Sequence, residues 1–164
     1  MKYIPDDLKE LVYEGHIIPG YYVNKQGELW STRRAHLNKH SDLSMENVCY
    51  SGPLVRRKGT PNGKYILYRV SKLHTHRQHD GQINSRHFGV HSHRAVMETF
   101  RPFEDNLPKE LINEWDSLSD VVKKYIKQGM SVDHIDPDST KDTFHHISNL
   151  QWLTRSDNTK KGDS

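Results

Sequence analysis

The first third of the chain alternates short apolar runs with polar turns. Over residues 6–14, apolar side chains recur three and four positions apart, which predicts a short amphipathic helix. Residues 20–24 and 28–31 are extended in character and are joined by a loop that ends at Gly27. This arrangement is typical of a β-hairpin.

The middle of the chain contains the clearest strand. Residues 65–71 are rich in aromatic and β-branched side chains, and we expect the chain to return antiparallel through residues 87–91. The pattern then changes to helical spacing over residues 92–100, and Ser92 is a plausible N-cap for that helix.

Two more short helices are predicted over residues 108–117 and 119–128. The inward face of the second is expected to consist of Val121, Val122, Tyr125 and Ile126. In the remaining C-terminal segment, the pattern predicts two short strands, over residues 132–135 and 150–153, and a terminal helix. Strands followed by helices and then by a small mixed motif indicate an α+β fold, with antiparallel strands concentrated in the N-terminal part.

The net charge of +3 conceals an uneven distribution. Residues 51–100 hold nine Lys and Arg but only two acidic residues, a net of +7, and six of the 12 His of the chain. A basic stripe of this kind is the footprint expected of a nucleic-acid-binding surface, although a solvated sheet face is the alternative. We expect phosphate contacts from Arg69, Lys72, Arg77, Arg86, Arg94 and Arg155.

Several classes of protein are excluded by composition. Cys49 is the only cysteine, so an intramolecular disulfide framework and a Cys-based zinc knuckle are ruled out. Apolar runs are far shorter than a membrane span requires, and the N-terminal segment carries acidic residues where a signal peptide needs an apolar stretch. We therefore expect a cytoplasmic protein of a reducing compartment.

The His residues do not follow a standard zinc pattern. The six between His74 and His93 have irregular spacing and no accompanying thiol, and we interpret them as one polar sheet face. His145 and His146 are expected to lie on a surface loop, and the alternative is that one of them approaches a metal ion or a phosphate.

The C-terminal segment holds residues suited to phosphodiester hydrolysis. Asp133 and Asn158 offer hard oxygen ligands for a divalent cation, Mg²⁺ with Mn²⁺ as a possibility. His134 is suited to take a proton from an attacking water, and Asn149 to accept from its imidazole N–H or to bridge the loop. Neighbouring strand residues point to opposite faces, so Asp133 and His134 can flank one phosphate only near a strand end or bulge.

This segment resembles the motif of the HNH endonucleases, in particular the homing and free-standing enzymes of phages and introns. The resemblance is carried by Asp133-His134-Ile-Asp, Asn149-Leu-Gln-Trp-Leu-Thr and Asn158, with Asn where the family's third position often has His. It implies a ββα-metal fold in which Asp133 and Asn158 bind the metal, His134 is the general base and Asn149 orients it.

Two upstream segments extend the resemblance. Residues 18–31 are similar to the nuclease-associated modular segment that often precedes the HNH motif, and residues 93–100 resemble the His-Arg-led helix before the nuclease core. We therefore expect three regions. They are a sheet-rich DNA-binding region over residues 1–103, a helical connector over 104–130 and an HNH nuclease core over 131–164.

The resulting hypothesis is a metal-dependent endonuclease that nicks or cuts double-stranded DNA, as a monomer or a homodimer. If the protein is encoded by a phage, the cytoplasm is that of the host cell. A non-catalytic DNA-binding or regulatory protein with a decayed HNH fold is the alternative from another class, and an RNase is a third.

Overall fold

A computed structural model describes residues 4–32, 34–35, 48–49, 53–71, 87–138 and 145–162. The N-terminal sheet has four antiparallel strands in the order β1-β2-β3-β6. These strands are β1 (Lys9–Tyr13), β2 (His16–Val23), β3 (Leu29–Ser31) and β6 (Val55–Arg56). Two short strands, β4 (Arg34–Ala35) and β5 (Val48–Cys49), pair with each other.

The helix predicted over residues 6–14 is wrong, because that segment contains β1. Leu11 and Tyr13 are buried, whereas Glu10 is exposed and Val12 is only half-buried, so burial from Glu10 to Tyr13 follows the two-residue period of a strand. The chain then reverses through two residues with positive φ, Glu14 at 52° and Gly15 at 79°. Positive φ at both loop positions is the geometry of the tightest β-hairpins, and it pairs β1 with β2.

The hairpin between β2 and β3 is confirmed. The side-chain carbonyl of Asn24 accepts from the backbone N–H groups of Gln26 and Glu28, at 3.1 and 2.9 Å. Gly27 closes the turn with a φ of 84°, and its carbonyl accepts hydrogen bonds from the hydroxyls of Tyr68 and Ser92. The turn is thereby fixed to two residues that lie 41 and 65 positions further along the chain.

The predicted strands over residues 65–71 and 87–91 are also confirmed. They form a three-stranded antiparallel sheet in the order β7-β8-β9. Its strands are β7 (Thr60–Asn62), β8 (Tyr65–Ser71) and β9 (His87–His91), and helix α1 (Ser92–Phe100) follows directly. Ser92 is not the N-cap as predicted. The N-cap residue is His91, whose side chain makes no capping hydrogen bond, while the Ser92 hydroxyl donates to the carbonyl of Gly27 at 2.8 Å.

The connector is less regular than predicted. Instead of one helix over residues 108–117, the chain forms α2 (Lys109–Ile112) and a 3₁₀ turn over Trp115–Ser117. Another 3₁₀ turn covers Phe103–Asp105. Helix α3 (Asp120–Gln128) begins at Ser119, whose side chain accepts from the N–H of Val122.

The expectation that Val121, Val122 and Tyr125 face inward is wrong. Their exposed fractions are 63%, 42% and 69%, and Ile126 alone of the predicted face packs against a small core of Phe103, Trp115 and Met130. One edge of α3 is therefore enough to cover that core, and the rest of its apolar face lies in solvent.

The C-terminal motif consists of β10 (Met130–His134), a 3₁₀ turn (Ile147–Asn149), β11 (Leu150–Thr154) and α4 (Arg155–Gly162). The main hydrophobic core joins it to the sheets, and its members include Leu11, Val23, Leu29, Tyr68, Val90, Val96, Val132 and Leu150. The α+β class is confirmed, while the division into three regions stays a prediction. Within the described residues, the helices are too short or too polar to cross a membrane.

Candidate active site

The predicted strand–strand–helix unit is present at the C-terminal end of the described chain. Strands β10 and β11 pair antiparallel in unbroken register, from Met130 opposite Thr154 to His134 opposite Leu150. Helix α4 follows β11 without a linker and packs on both strands. The four predicted site residues all lie on this unit or on the turn that enters β11.

Asp133 is buried, and its carboxylate forms a salt bridge with Lys161. Its carboxylate Oδ2 accepts from Nε2 of Gln151 at 2.8 Å and from the ammonium of Lys161 at 2.6 Å. The same ammonium donates to the backbone carbonyls of His134 at 2.8 Å and Ile135 at 3.1 Å. A carboxylate and two carbonyls thus converge on one positive charge. These are the hard oxygen donors that Mg²⁺ and Ca²⁺ also prefer, so the donor set fits a divalent cation.

Asn158 lies on the same side of the unit as Asp133. It is three residues before Lys161 on α4, a spacing that places both side chains on one helix face. Its side-chain N–H donates to the hydroxyl of Ser131 at 2.9 Å, and Ser131 shares a strand face with Asp133 two residues further on. The structure therefore brings both predicted metal ligands to the interface between β10 and α4.

Asn149 fastens the chain that leaves β10. Its side-chain carbonyl accepts from the N–H of Asp136 at 2.8 Å, and its side-chain N–H donates to the carbonyl of Asp136 at 3.1 Å. Its backbone carbonyl accepts from the N–H of Ile135 at 2.7 Å. Of the two roles predicted for Asn149, these bonds correspond to bridging the loop, which fixes the strand end where His134 sits.

The imidazole of His134 faces a different set of neighbours. Its Nε2 lies 3.1 Å from Nδ1 of His145, and its ring centroid is 5.2 Å from that of His93 and 5.7 Å from that of Tyr65. Burial lowers the pKa of His134 to about 4, with a further lowering from His145 that the carboxylate of Asp133 opposes. His134 is therefore neutral at pH 7, as a general base must be.

The structure places His145 beside His134, which agrees with the alternative given for one of His145 and His146 and not with the preferred surface loop. Only 7% of His145 is exposed, and burial lowers its pKa. Its neighbour His146 does bond locally, to the hydroxyl and the N–H of Ser148. A useful signal is the position of His145 two residues before Ile147, whose buried side chain draws this segment onto the core.

His93 is also placed differently from the prediction. It belongs to the first turn of α1 and not to a polar sheet face, and burial together with the nearby His134 lowers its pKa to about 3. One ligand atom from each of His93, His134 and His145 lies within 4.8 Å of the others. This cluster can hold a divalent metal ion.

The side chain of Arg94 forms an ion pair within the protein. Its Nε lies 3.4 Å from a carboxylate oxygen of Glu98, one helical turn away on α1. The carboxylate of Glu98 also accepts from the N–H of Glu14, both oxygens at 3.0 Å. A phosphate contact by Arg94 stays a prediction.

Two other predicted phosphate contacts lie on the surface. Arg69 is exposed on β8 and Arg155 is exposed at the start of α4. A cleft of 1030 Å³ is lined by five Lys and Arg residues and four acidic ones, namely Arg94, Lys123, Lys124, Lys127, Arg155, Glu14, Glu98, Glu104 and Asp120. The remaining candidates, Lys72, Arg77 and Arg86, lie outside the described residues.

The fold is similar to that of a solved endonuclease structure. That structure is described as "DNA binding and cleavage by the HNH homing endonuclease I-HmuI", with 16% sequence identity and a TM-score of 0.44. The similarity covers 92% of this chain and 55% of the other, so this chain spans about half the length of that protein. None of the protein-family models matches the chain, and neither does any curated protein.

Proposed function

We propose that the protein is a metal-dependent DNA endonuclease of the HNH type, a homing or free-standing enzyme of phage kind that acts on double-stranded DNA in the cytoplasm. The observation that carries the proposal is the unit formed by β10, β11 and α4. It holds Asp133 and Asn158 along one interface and places a neutral His134 at the end of the same strand.

Asp133 and Asn158 are proposed to hold Mg²⁺, or Mn²⁺, through a carboxylate and an amide oxygen. The bound ion would stabilise the negative charge that develops on the phosphate and on the leaving oxygen. The support for a cation here is the ammonium of Lys161, which already lies among the carboxylate of Asp133 and two backbone carbonyls.

His134 is proposed to accept the proton of the attacking water. Its lowered pKa keeps a lone pair available at neutral pH. Asn149 is a positioning residue in this scheme, because its amide clamps both backbone groups of Asp136 and so fixes the strand end that carries His134.

DNA is proposed to be held through its phosphates by the basic residues of the chain. The proposed contacts are Arg69, Lys72, Arg77, Arg86, Arg94 and Arg155. One HNH unit cleaves one strand, so a monomer should nick and a homodimer should cut both strands.

The direct test is incubation of supercoiled plasmid with the purified protein and Mg²⁺. Wild type should convert plasmid to nicked or linear DNA, His134→Ala should abolish conversion, and His146→Ala should retain it because His146 bonds only locally to Ser148 in the described contacts. Equal cleavage by wild type and His134→Ala would overturn the catalytic assignment. Cleavage of single-stranded RNA in preference to duplex DNA would make the protein an RNase.

The alternative is a non-catalytic DNA-binding or regulatory protein, and one observation favours it. The ammonium of Lys161 already neutralises the carboxylate of Asp133, so a cation of the protein itself occupies this position. Calorimetric titration with Mg²⁺ separates the two functions. A nuclease should bind Mg²⁺ and lose binding in Asp133→Asn, whereas DNA binding without Mg²⁺ binding would support the alternative.

A further inference from the structure

Three imidazole rings converge from separate parts of the fold. His93 comes from the first turn of α1, His134 from the end of β10 and His145 from the segment before β11. The chain therefore assembles the cluster only when these elements pack together. Tyr65 closes one side, with its ring 4.9 Å from that of His93 and 5.7 Å from that of His134.

We propose that His93, His134 and His145 form a binding site for a borderline transition-metal ion such as Zn²⁺ or Co²⁺, separate from the oxygen-donor site at Asp133. All three donors are ring nitrogens, which suit Zn²⁺, Co²⁺, Ni²⁺ and Cu²⁺ far better than Mg²⁺. The two sites would thus select different classes of metal ion.

The spacing of the donors suits a tetrahedral ion. Two ligands at the usual Zn–N length of about 2.0–2.1 Å are about 3.3 Å apart in a tetrahedron. Nε2 of His134 and Nδ1 of His145 lie 3.1 Å apart, close to that value. The nitrogen of His93 lies within 4.8 Å of both, so a modest ring movement completes a three-His set that leaves a fourth position for water.

The surroundings of two of these rings also favour a metal. The backbone carbonyl of Lys64 accepts a hydrogen bond from His145, the kind of contact that commonly orients a metal-bound imidazole. Nδ1 of His93 is buried and has no hydrogen-bond partner among the described residues. An ion bound by the rings would replace the hydrogen bond between Nε2 of His134 and Nδ1 of His145.

The two sites lie on opposite sides of one strand end. Asp133 is bonded to Lys161 of α4, while the next residue, His134, faces His93 and His145. A metal ion bound by the three rings occupies a nitrogen of His134, the proposed general base. We therefore expect Zn²⁺ to inhibit DNA hydrolysis. That consequence rests on the proposed nuclease function, whereas the binding itself does not.

The test is titration of the full-length, chelator-stripped protein with CoCl₂, followed by the visible absorption of tetrahedral Co²⁺. Wild type should show this absorption, and an excess of Mg²⁺ should not remove it. His93→Gln and His145→Gln should each weaken Co²⁺ binding by about 100-fold or more, because loss of a ligand costs at least as much as the roughly 10–100-fold lost with a residue that only supports a ligand. His146→Gln is the matched control and should bind as wild type does.

Two outcomes overturn the proposal. One is the absence of tetrahedral Co²⁺ absorption in wild type, and the other is unchanged Co²⁺ affinity in both His93→Gln and His145→Gln. Thermal unfolding with and without ZnCl₂ separates loss of the site from failure to fold. A variant that folds shows a cooperative unfolding transition, and Zn²⁺ should raise the Tm of wild type and of His146→Gln but not that of His93→Gln or His145→Gln. If wild type binds Co²⁺ but does not cleave plasmid with Mg²⁺, the proposed nuclease function is refuted and the proposed three-His metal site is not.

Discussion

The ammonium of Lys161 lies 2.6 Å from Oδ2 of Asp133, where the proposed metal ion would have to bind. Two backbone carbonyls complete its environment, so the protein supplies its own cation at this position. Since one carboxylate oxygen cannot hold a lysine and a divalent ion in the same place, binding of Mg²⁺ requires Lys161 to move. Lys161 is therefore expected to weaken Mg²⁺ binding.

Replacement of Lys161 by Met tests this competition. Lys161→Met removes the charge but keeps most of the aliphatic stem, and it should tighten Mg²⁺ binding about tenfold, or about 1.4 kcal/mol. Isothermal titration calorimetry measures the change. Lys160→Met is the matched control, because Lys160 is exposed on the adjacent position of α4, and its Mg²⁺ affinity should equal that of wild type. Weaker binding in Lys161→Met would show that the lysine supports the site instead.

Removal of the Asn149 clamp should affect both stability and cleavage. Asn149→Ala leaves the N–H and the carbonyl of Asp136 without their side-chain partner, which should cost about 1–3 kcal/mol in the free energy of unfolding. Asn149→Asp keeps the acceptor for the N–H and loses only the donor, so its loss should be intermediate. Urea unfolding measures stability and plasmid nicking measures activity. Full activity in a folded Asn149→Ala protein would show that Asn149 does not position the catalytic residues.

The motif on β10, β11 and α4 was predictable, because its chemistry depends on local spacing. Both strands and the terminal helix are present, although β10 covers Met130–His134 instead of the predicted residues 132–135, and Asn158 faces the side of Asp133. The contact between Lys161 and Asp133 was not predictable, because it joins residues 28 positions apart through the packing of α4 on β10. A lysine in a short polar helix is, from sequence, most simply a solvated charge.

Two other differences between the predictions and the structure also have physical causes. The segment that became β1 has apolar residues that fit both a helical and an alternating pattern, and the two-residue turn at Glu14 and Gly15 decided in favour of the strand. His145 looked like a loop residue because it belongs to the stretch between the two predicted strands, where Asp136, Pro137 and Asp138 favour a turn. Its burial comes from the anchoring of Ile147, whose N–H donates to the carbonyl of Lys25 in the distant β2–β3 turn.

The β2–β3 turn should be sensitive to substitution at Gly27. Gly27→Ala combines a positive φ of 84° with a collision between the new Cβ and the Ser92 hydroxyl. The left-handed conformation costs about 1–2 kcal/mol and the overpacking about 1–3 kcal/mol more. Gly63→Ala is the control, since Gly63 has a φ of 61° but open space around it, and it should show only the first cost. Equal urea midpoints for the two variants would contradict docking of the turn on α1.

The proposed phosphate contacts predict a change in salt dependence. Arg69→Gln and Arg155→Gln should each weaken binding of a duplex irrespective of its sequence and should reduce the slope of log K against log salt by about 1. Fluorescence anisotropy in the presence of a chelator, which prevents cleavage, measures both quantities. Arg101→Gln removes an exposed arginine outside the proposed contacts and should leave the slope unchanged. An unchanged slope in both test variants would place the DNA elsewhere.

The buried carboxylate of Glu98 makes stability depend on pH. Burial raises the pKa of Glu98 above its usual 4.5, although Arg94 opposes the shift. Because the folded protein binds the proton more tightly than the unfolded chain, the contribution of Glu98 is full below pH 4.5 and is lost as the pH rises through the raised pKa. Glu98→Gln keeps an acceptor for the N–H of Glu14 and cannot ionise. The stability of Glu98→Gln relative to wild type should therefore rise with pH above 4.5 and then level off. Urea midpoints of both proteins between pH 4 and 8 measure this difference, and a difference that falls with pH would mean that Arg94 and the N–H of Glu14 outweigh burial.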